Sequence, residues 1–581
     1  MESVNFTGLA SEPSYILPSE TLKPFDAIAH LLNTTTRRQA ATRHDPGTAE
    51  KAAATLIASI LLNAGLDAGH DLVAVFERTI FATLQWIRAT SDPIATIDEL
   101  LPEFGPENRV SPLEVHRTTV AGMVPEMTRA EMDQVMGDQY VEQMQSLEDT
   151  GAKSPLVALA IDNTTQRVST EHPNGSFSPV KVGGKGTWED GFKYPTIMDT
   201  THLLFVGCHH EDHYPKVKGR APALPPAVLD LQEKVATVKR AGSRAAVIEG
   251  DRDYFKGDLF AAAGQGLFDP GADPRDWPRL VVPVKFGPEK ERFTWDILLD
   301  DSQPAVFKDY IKCAPPPAPG PGSASGGMFE QDDDGTFWAP YACVALVGEW
   351  GKAKSQDLAE VREQAKEVQD GIEACDHDIE ATETTYVEHL EEATGEEGKK
   401  PNYGKGAKRK KFHDEEDERL YLECYRLRDE RNKWDEKKAA LMLLVAFIAV
   451  SLRPGEHPAA HPNTFMALAR DYRQRWGIEN GFKVVKWAFL RKVRDTRPRR
   501  RQFNMMLGML LCNYWHNTRL RELLESCRKV TWNKKNYDNR RPWIRRKLEK
   551  DMHDATTARG FLIRLLEVGL QSLIQKMFKG A

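Results

Sequence analysis

The hydrophobic period of this chain changes partway along it, and that change most restricts what the chain can fold into. Residues 22 to 150 alternate helical patterns with polar breaks, as in "AEKAAATLIASILLNAGL" and "LVAVFERTIFATLQWIRA", where apolar residues recur at helical spacing. "SPLVALAIDNTTQRV" (154 to 168) then opens with a short apolar, strand-like run ending at Asp162. The Gly-rich "VGGKGTW" leads to two more candidate strands, "KYPTIMDTT" and "HLLFVGCHH". "PPAVLDLQEKVATVKRAG" (225 to 242) is an amphipathic helix with a glycine stop, and "SRAAVIEGDRDYF" (243 to 255) returns to strand and ends in an acidic cluster. A helical N-terminal domain followed by a mixed α/β core is expected.

At 581 residues the chain is too long for one compact core, so three or four domains are expected. From about 280 to 350 it is β-prone, with "RLVVPVKF" and "FWAPYACVALVGEW" on either side of the low-complexity loop "APPPAPGPGSASGG" (314 to 327). Leu358, Val361, Ala365, Val368, Ile372, Cys375 and Ile379 then alternate spacings of three and four, a heptad seam. A second charged helix runs from about 413 to 440 through Leu420, Cys424, Leu427 and Trp434. These two predict an antiparallel hairpin whose tip, "GKKPNYGKGAKRKK" (398 to 411), is cationic and suits either solvent or DNA.

A formal net charge of −7 argues against a nucleic-acid ligand only on average. Acidic residues gather in 355 to 436, whereas "RKVRDTRPRRR" (491 to 501) and "WNKKNYDNRRPWIRRK" (532 to 547) are strongly basic, and local clusters set the electrostatic footprint. Seven scattered cysteines without a CxxC pair read as free thiols in a reducing compartment. "MESVNFTGLASEPSY" lacks the regions of a signal peptide, and "AALMLLVAFIAVSL" (439 to 452) is short for a bilayer and reads as buried core. The expected location is cytoplasmic, with no membrane partner. "VGCHHEDHYP" crowds Cys208, His209, His210 and His213 within six residues, which matches no usual structural zinc spacing.

One stretch, "DYRQRWGIENGFKVVKW" (471 to 487), carries the chemistry. With Tyr472 at zero on a helical wheel, Arg475 falls near about −60°, Glu479 near about −20° and Lys486 near about −40°. A carboxylate flanked by two cations and a phenol on one narrow face suits a metal ion with a phosphate. It also suits a plain salt-bridge ladder. Two upstream acids share its context: Asp162 on the first strand of the core, and Asp251 just after "AAVIEG", where Glu249 and Asp253 compete with it. Three carboxylates in that order can hold two Mg²⁺ ions, hard cations that take oxygen ligands.

Tyr, two residues, Arg, three residues, Glu, six residues, Lys (Tyr472, Arg475, Glu479, Lys486) resembles the Tyr-Arg-Glu-Lys signature of DDE-type insertion-sequence transposases. "ALAIDNTT" and "VIEGDRDYF" resemble that family's two aspartate motifs, although Asn163 follows the first aspartate and Asp253 stands where a small residue is usual. "GGKGT" and "RQFNMMLGMLLCNYW" are also similar, and the resemblance covers roughly 154 to 260 and 464 to 516.

The resemblance implies a cut-and-paste DNA transposase with an RNase-H-like mixed-sheet α/β core. Asp162, Asp251 and Glu479 would be the catalytic Mg²⁺ ligands, with Mn²⁺ as a substitute. Tyr472, Arg475 and Lys486 would grip phosphates at the transposon end. The basic residues Arg491, Lys492, Arg499, Arg500 and Arg501 suit an ordinary solvated face but are expected on the DNA backbone beside that site, and Lys185 in "GGKGT" suits a phosphate, although the glycine there equally suits a plain turn. Trp295, Trp338 and Trp350 are candidates for stacking on a flipped base, or for core packing.

The implied layout has five parts: an N-terminal helical, DNA-end-binding domain (1–150); a first part of the core (151–265); a β-rich and helical-hairpin insertion (266–455); a second core part with the signature helix (456–516); and a basic helical C-terminus (517–581). Double-stranded DNA (terminal inverted repeats and target) and a homodimer in a synaptic complex are the expected partners, at the nucleoid. A structure-specific nuclease on the same core, or an inert DNA-binding derivative, are the alternatives.

Overall fold

The fold was obtained as a computed structural model. It describes residues 25–29, 53–54, 57, 60, 129–167, 178–182, 187–208, 225–284, 290–300, 305–314, 330–347, 358–395, 397–401, 411–490, 498–533, 558, 561–562, 565–566 and 569. The architecture is mixed α/β, and the chain divides into two compact units, one of residues 1–249 and 474–581 and one of residues 250–473. Among the described residues no helix is long and apolar enough to cross a membrane.

The first unit contains helix α1 (Arg129–Asp149), strands β1 (Leu156–Arg167), β2 (Ser178–Val182), β3 (Thr187–Asp199) and β4 (Leu204–Cys208), helix α2 (Pro226–Arg240) and strand β5 (Arg244–Gly250). Its strands run in the order β2-β3-β1-β5, with β4 also paired to β3. Proline at the start of α2 and Gly242 at φ 77° just past its end bracket the helix that the sequence predicts. β1 is longer than its apolar run. Asn163 to Arg167 still pair with β3, Gln166 opposite Phe192, so Asp162 sits inside the strand and not at its end. The reason is the partner: β3 has 13 residues, and its backbone extends the ladder past the point where β1 turns polar.

The second unit holds α3 (Gly257–Gly264), β6 (Arg279–Pro283), α4 (Lys290–Leu299), β7 (Val306–Cys313), β8 (Glu330–Gln331), β9 (Phe337–Val347), α5 (Leu358–Thr394), α6 (Glu415–Met442), β10 (Val445–Ser451) and α7 (Pro462–Asp471). Its strands run β6-β10-β9-β7, with β8 on β9, and these pairs are antiparallel. The run 439 to 452 divides between the end of α6 and the buried β10. α5 and α6 are the expected helical pair, with Val361, Ala365, Val368, Ile372, Cys375 and Ile379 buried on α5 and Leu420, Cys424 and Leu427 buried on α6. They run antiparallel, since Asp376 pairs with Arg431, Glu383 with Arg428 and His389 with Asp414. Most of the cationic tip and the low-complexity loop lies outside the described residues.

From Gln474 the chain belongs to the first unit again, with α8 (Trp476–Val484), a π-helical turn (Val485–Phe489) and α9 (Pro498–Asn533). The unit's core joins α1, β3, β4, α8 and α9 through residues such as Met136, Tyr194, Phe205, Phe482, Met506 and Leu510. A continuous buried run, Arg501 to Trp515, makes α9 the central helix of that core. Its Asn513 satisfies β4. The side-chain carbonyl accepts from the Phe205 amide at 2.7 Å, and the side-chain amide donates to the Phe205 carbonyl at 2.8 Å. Replacing Asn513 with Ala leaves both backbone groups of Phe205 buried without that partner, at an expected cost of about 2–3 kcal/mol. Denaturant unfolding measures it, and Asn513→Asp, which at neutral pH sets a buried carboxylate against the Phe205 carbonyl, is expected to cost at least as much as Ala.

Candidate functional site

Helix α8 is seated by its glycines. A Cβ at Gly481 would lie 2.9 Å from Phe205 Cζ and 3.1 Å from Met198 Sδ, and one at Gly477 would lie 3.3 Å from Leu203 Cδ2 and Thr200 Cγ2. The helix backbone therefore rests directly on the β3–β4 hairpin, where any larger residue would hold it off. Phe482 completes the contact by stacking on Phe205, with ring centroids 6.0 Å apart. Lodged this way, α8 turns Glu479 toward β1.

Arg475 joins the two elements. One arm of its guanidinium donates to Asp162 Oδ2 on β1 at 2.9 Å, and the other to Glu479 Oε1 at 2.5 Å. The arginine is largely buried, its side chain only 11% exposed, against 13% for Asp162 and 39% for Glu479. The second oxygen of Asp162 accepts from the Asn163 amide at 2.7 Å. Loss of water pushes the pKa of Lys486 below its ordinary value, and the negative charge of Asp162 opposes that shift. Two acids and two cations of the sequence-predicted set thus form one local cluster of balanced charge.

Asp251 belongs to the second unit and immediately follows β5. Its carboxylate accepts from the Asp253 amide at 2.8 Å and caps the short 3₁₀ turn Arg252–Tyr254, while Glu249 is buried and Asp253 exposed. Tyr472, in the same unit, is 1% exposed, and its hydroxyl donates to the Gly250 carbonyl at 2.8 Å, so this phenol braces backbone. Among the described residues no group of three or more His, Cys, Asp or Glu side chains is close enough to hold a metal ion.

Arg501 is buried and its guanidinium lies over the Phe192 ring, packing that a string of arginines in the sequence does not disclose. Arg499 and Arg500 stand in the first turn of α9, and Lys185, Arg491 and Lys492 lie outside the described residues. Of the three tryptophans considered for base stacking, Trp295 is core: it is 5% exposed and donates to Gln369, with Lys438 over its ring. Trp338 is half-buried on β9 and donates to Asp332, and Trp350 is outside the described residues. Cys208 is fully buried on β4, which pushes its thiol up to about 12, and His209, His210 and His213 are outside the described residues. Two exposed tryptophans escaped the sequence reading, Trp476 at 60% and Trp487 at 76%. Their signal was present on the helical wheel, on the face next to the one that carries Glu479.

No protein-family model matches the sequence, and no curated protein matches it. Among solved structures the chain is similar to the piggyBac transposase synaptic complex with hairpin DNA, over 93% of this chain and 84% of that chain, with 10% sequence identity and a TM-score of 0.33. A likeness of that size carries no assignment of activity.

Removing the guanidinium tests whether the cluster is electrostatically coupled. Arg475→Met is expected to destabilise the protein by about 2 kcal/mol, less than the ~3–5 kcal/mol of a fully buried pair because Glu479 is partly exposed. Adding Asp162→Asn should recover part of that loss, since the strand then carries no uncompensated charge. A double-mutant cycle in denaturant reads the coupling directly.

Proposed function

We propose that this chain is a DNA transposase of the DDE type, which excises and integrates an insertion sequence by Mg²⁺-dependent strand cleavage and transfer at terminal inverted repeats. The observation that carries the reading is the Arg475 bridge between Asp162 on β1 and Glu479 on α8. It supports a common site for the first aspartate and the Tyr-Arg-Glu-Lys signature, which lie more than 300 residues apart in sequence.

The donor chemistry fits a hard cation. Asp162 and Glu479 already converge on a single positive group, and carboxylate oxygens are the ligands a hard cation takes. Asp162, Glu479 and Asp251 are the proposed ligands of two Mg²⁺ ions, with Mn²⁺ as a substitute. When bound, such ions lower the pKa of an attacking water or 3′-hydroxyl and stabilise the leaving oxygen.

The remaining residues act on the DNA strand. Arg475 offers a planar fork that matches two phosphate oxygens, and a phosphate placed there takes the guanidinium in exchange for the carboxylates it now holds. Lys486 supplies a point charge, and its partial loss of water strengthens attraction to an incoming anion. Tyr472 braces the backbone at Gly250, next to Asp251. In the proposed layout the core consists of 151–265 and 456–516 and is RNase-H-like, the insertion is 266–455, and the N-terminal helices read the inverted repeats. A pair of ends held together calls for a homodimer on DNA at the nucleoid.

The test uses linear duplexes taken from the DNA flanking the chain's own reading frame, incubated with the protein and Mg²⁺. Cleavage at the element's ends with joined products is expected. Glu479→Gln should lower product formation roughly a hundredfold or more while DNA binding persists. Cleavage without joining would assign the chain to a structure-specific nuclease. Equal products from wild type and Glu479→Gln would remove Glu479 from the site, and binding without any cleavage would mark an inert DNA-binding derivative.

A further inference from the structure

Beside the carboxylate cluster, α8 and its π-turn present a second face with no assigned role. Relative to Trp476, Asn480 falls at about +40°, Lys483 at about −20° and Trp487 at about +20° on a helical wheel, so the four share a stripe running some 16 Å along the axis. All four are exposed, and Trp487 is the most exposed tryptophan among the described residues, at 76%. An indole left in water is unusual, because its ring represents a large area that burial would stabilise. The π-turn helps to place it. Widening the helix over Val485–Phe489 keeps Val485, Ala488 and Phe489 in the core while Lys486 and Trp487 point outward side by side.

The charge of this face limits its occupant. The only acid between residues 476 and 489 is Glu479, and Arg475 holds it; Lys483, Lys486 and the indoles remain. A flat aromatic surface edged by cations matches a nucleic-acid strand, with phosphates on the lysines and a base on the ring. In a duplex both faces of each base are covered by its neighbours, so only an unpaired nucleotide can stack on a side chain. We propose that Trp487, with Lys483 and Asn480 beside it, is a docking surface for an unpaired segment of DNA adjoining the Arg475–Lys486 site. The indole stacks on a base, Lys483 meets the backbone, and the Asn480 amide hydrogen-bonds to a sugar or phosphate oxygen. The position of that segment rests on the transposase reading, whereas the stacking chemistry does not.

Binding, measured with the full chain by fluorescence anisotropy, separates the two. The probes are a labelled single-stranded oligonucleotide and a duplex of the same sequence, at two salt concentrations. Trp487→Ala is expected to weaken single-strand binding about tenfold or more and duplex binding much less, while Trp487→Tyr keeps most of the affinity. Lys483→Gln should reduce the salt dependence by about one phosphate contact. Thermal unfolding serves as control, and a side chain this exposed should leave the melting temperature unchanged. Wild-type affinity for the single strand in Trp487→Ala would overturn the proposal. So would unchanged DNA binding accompanied by loss of a self-associated species in sedimentation, which would make the face a contact between copies of this chain. If no cleavage is ever found but single-strand binding depends on Trp487, the docking surface stands and the transposase reading fails.

Discussion

A single guanidinium ties a helix of the first unit to a strand of its sheet. Arg475 reaches Asp162 on a strand and Glu479 on a helix, groups that would repel each other if they stood as close without it. Its planar fork can serve two acceptors in different directions, which a lysine at the same place could not do with comparable geometry. Little water reaches the arginine, so the attraction is weakly screened and removal of either partner is costly.

That bridge needs α8 at a fixed height above the β3–β4 hairpin. Gly477 and Gly481 allow the approach, Phe205 and Met198 meet it, and Asn513 pins the strand on which Phe205 stands. The hairpin turn is held in its own right. Asp199, fully buried, accepts from the Tyr140 hydroxyl, the Thr201 and His202 amides and the His202 ring, and the Ser154 amide reaches the other ring nitrogen. Burial, reinforced by the neighbouring Asp199 carboxylate, pushes the Tyr140 hydroxyl well above its ordinary pKa and keeps it a donor. Leu203, held at φ 60° where a β-carbon is crowded, is tolerated because these bonds determine the turn around it. Positional precision at Glu479 is thus built from contacts in which Glu479 takes no part.

Local pattern made part of this legible. The seam of α5 could be read because one buried residue every three or four positions is a helix's own period, and α2 because proline and glycine mark its ends. The spacing of Arg475, Glu479 and Lys486 was readable for the same reason. β7 was not, since "VFKDYIKC" carries charges through its middle and becomes a strand only by pairing with β9, where Asp309 accepts from the Tyr341 hydroxyl. Nor could the contact of Arg475 with Asp162 be read, as it spans 313 positions and leaves no trace in either neighbourhood. Tyr472 was expected at DNA from the resemblance and Arg501 from its place in a basic run, and neither pattern discloses what each side chain touches in this fold: the Gly250 carbonyl for one and the Phe192 ring for the other.

Burial also separates the site from the salt-bridge ladder that its spacing equally allowed. Arg426 on α6 pairs with Glu430 four residues on, the same interval as Arg475 to Glu479, and it too has a second carboxylate, Glu423. In sequence the two arginines are equivalent. But Arg426 is 58% exposed and both its acids lie on its own helix, so water competes for every charge and the set contributes little. Arg475 is 11% exposed and its second acid comes from a strand of the sheet. The first arrangement decorates a helix that would exist without it. The second fixes a helix against a sheet and draws two carboxylates from different elements to one guanidinium.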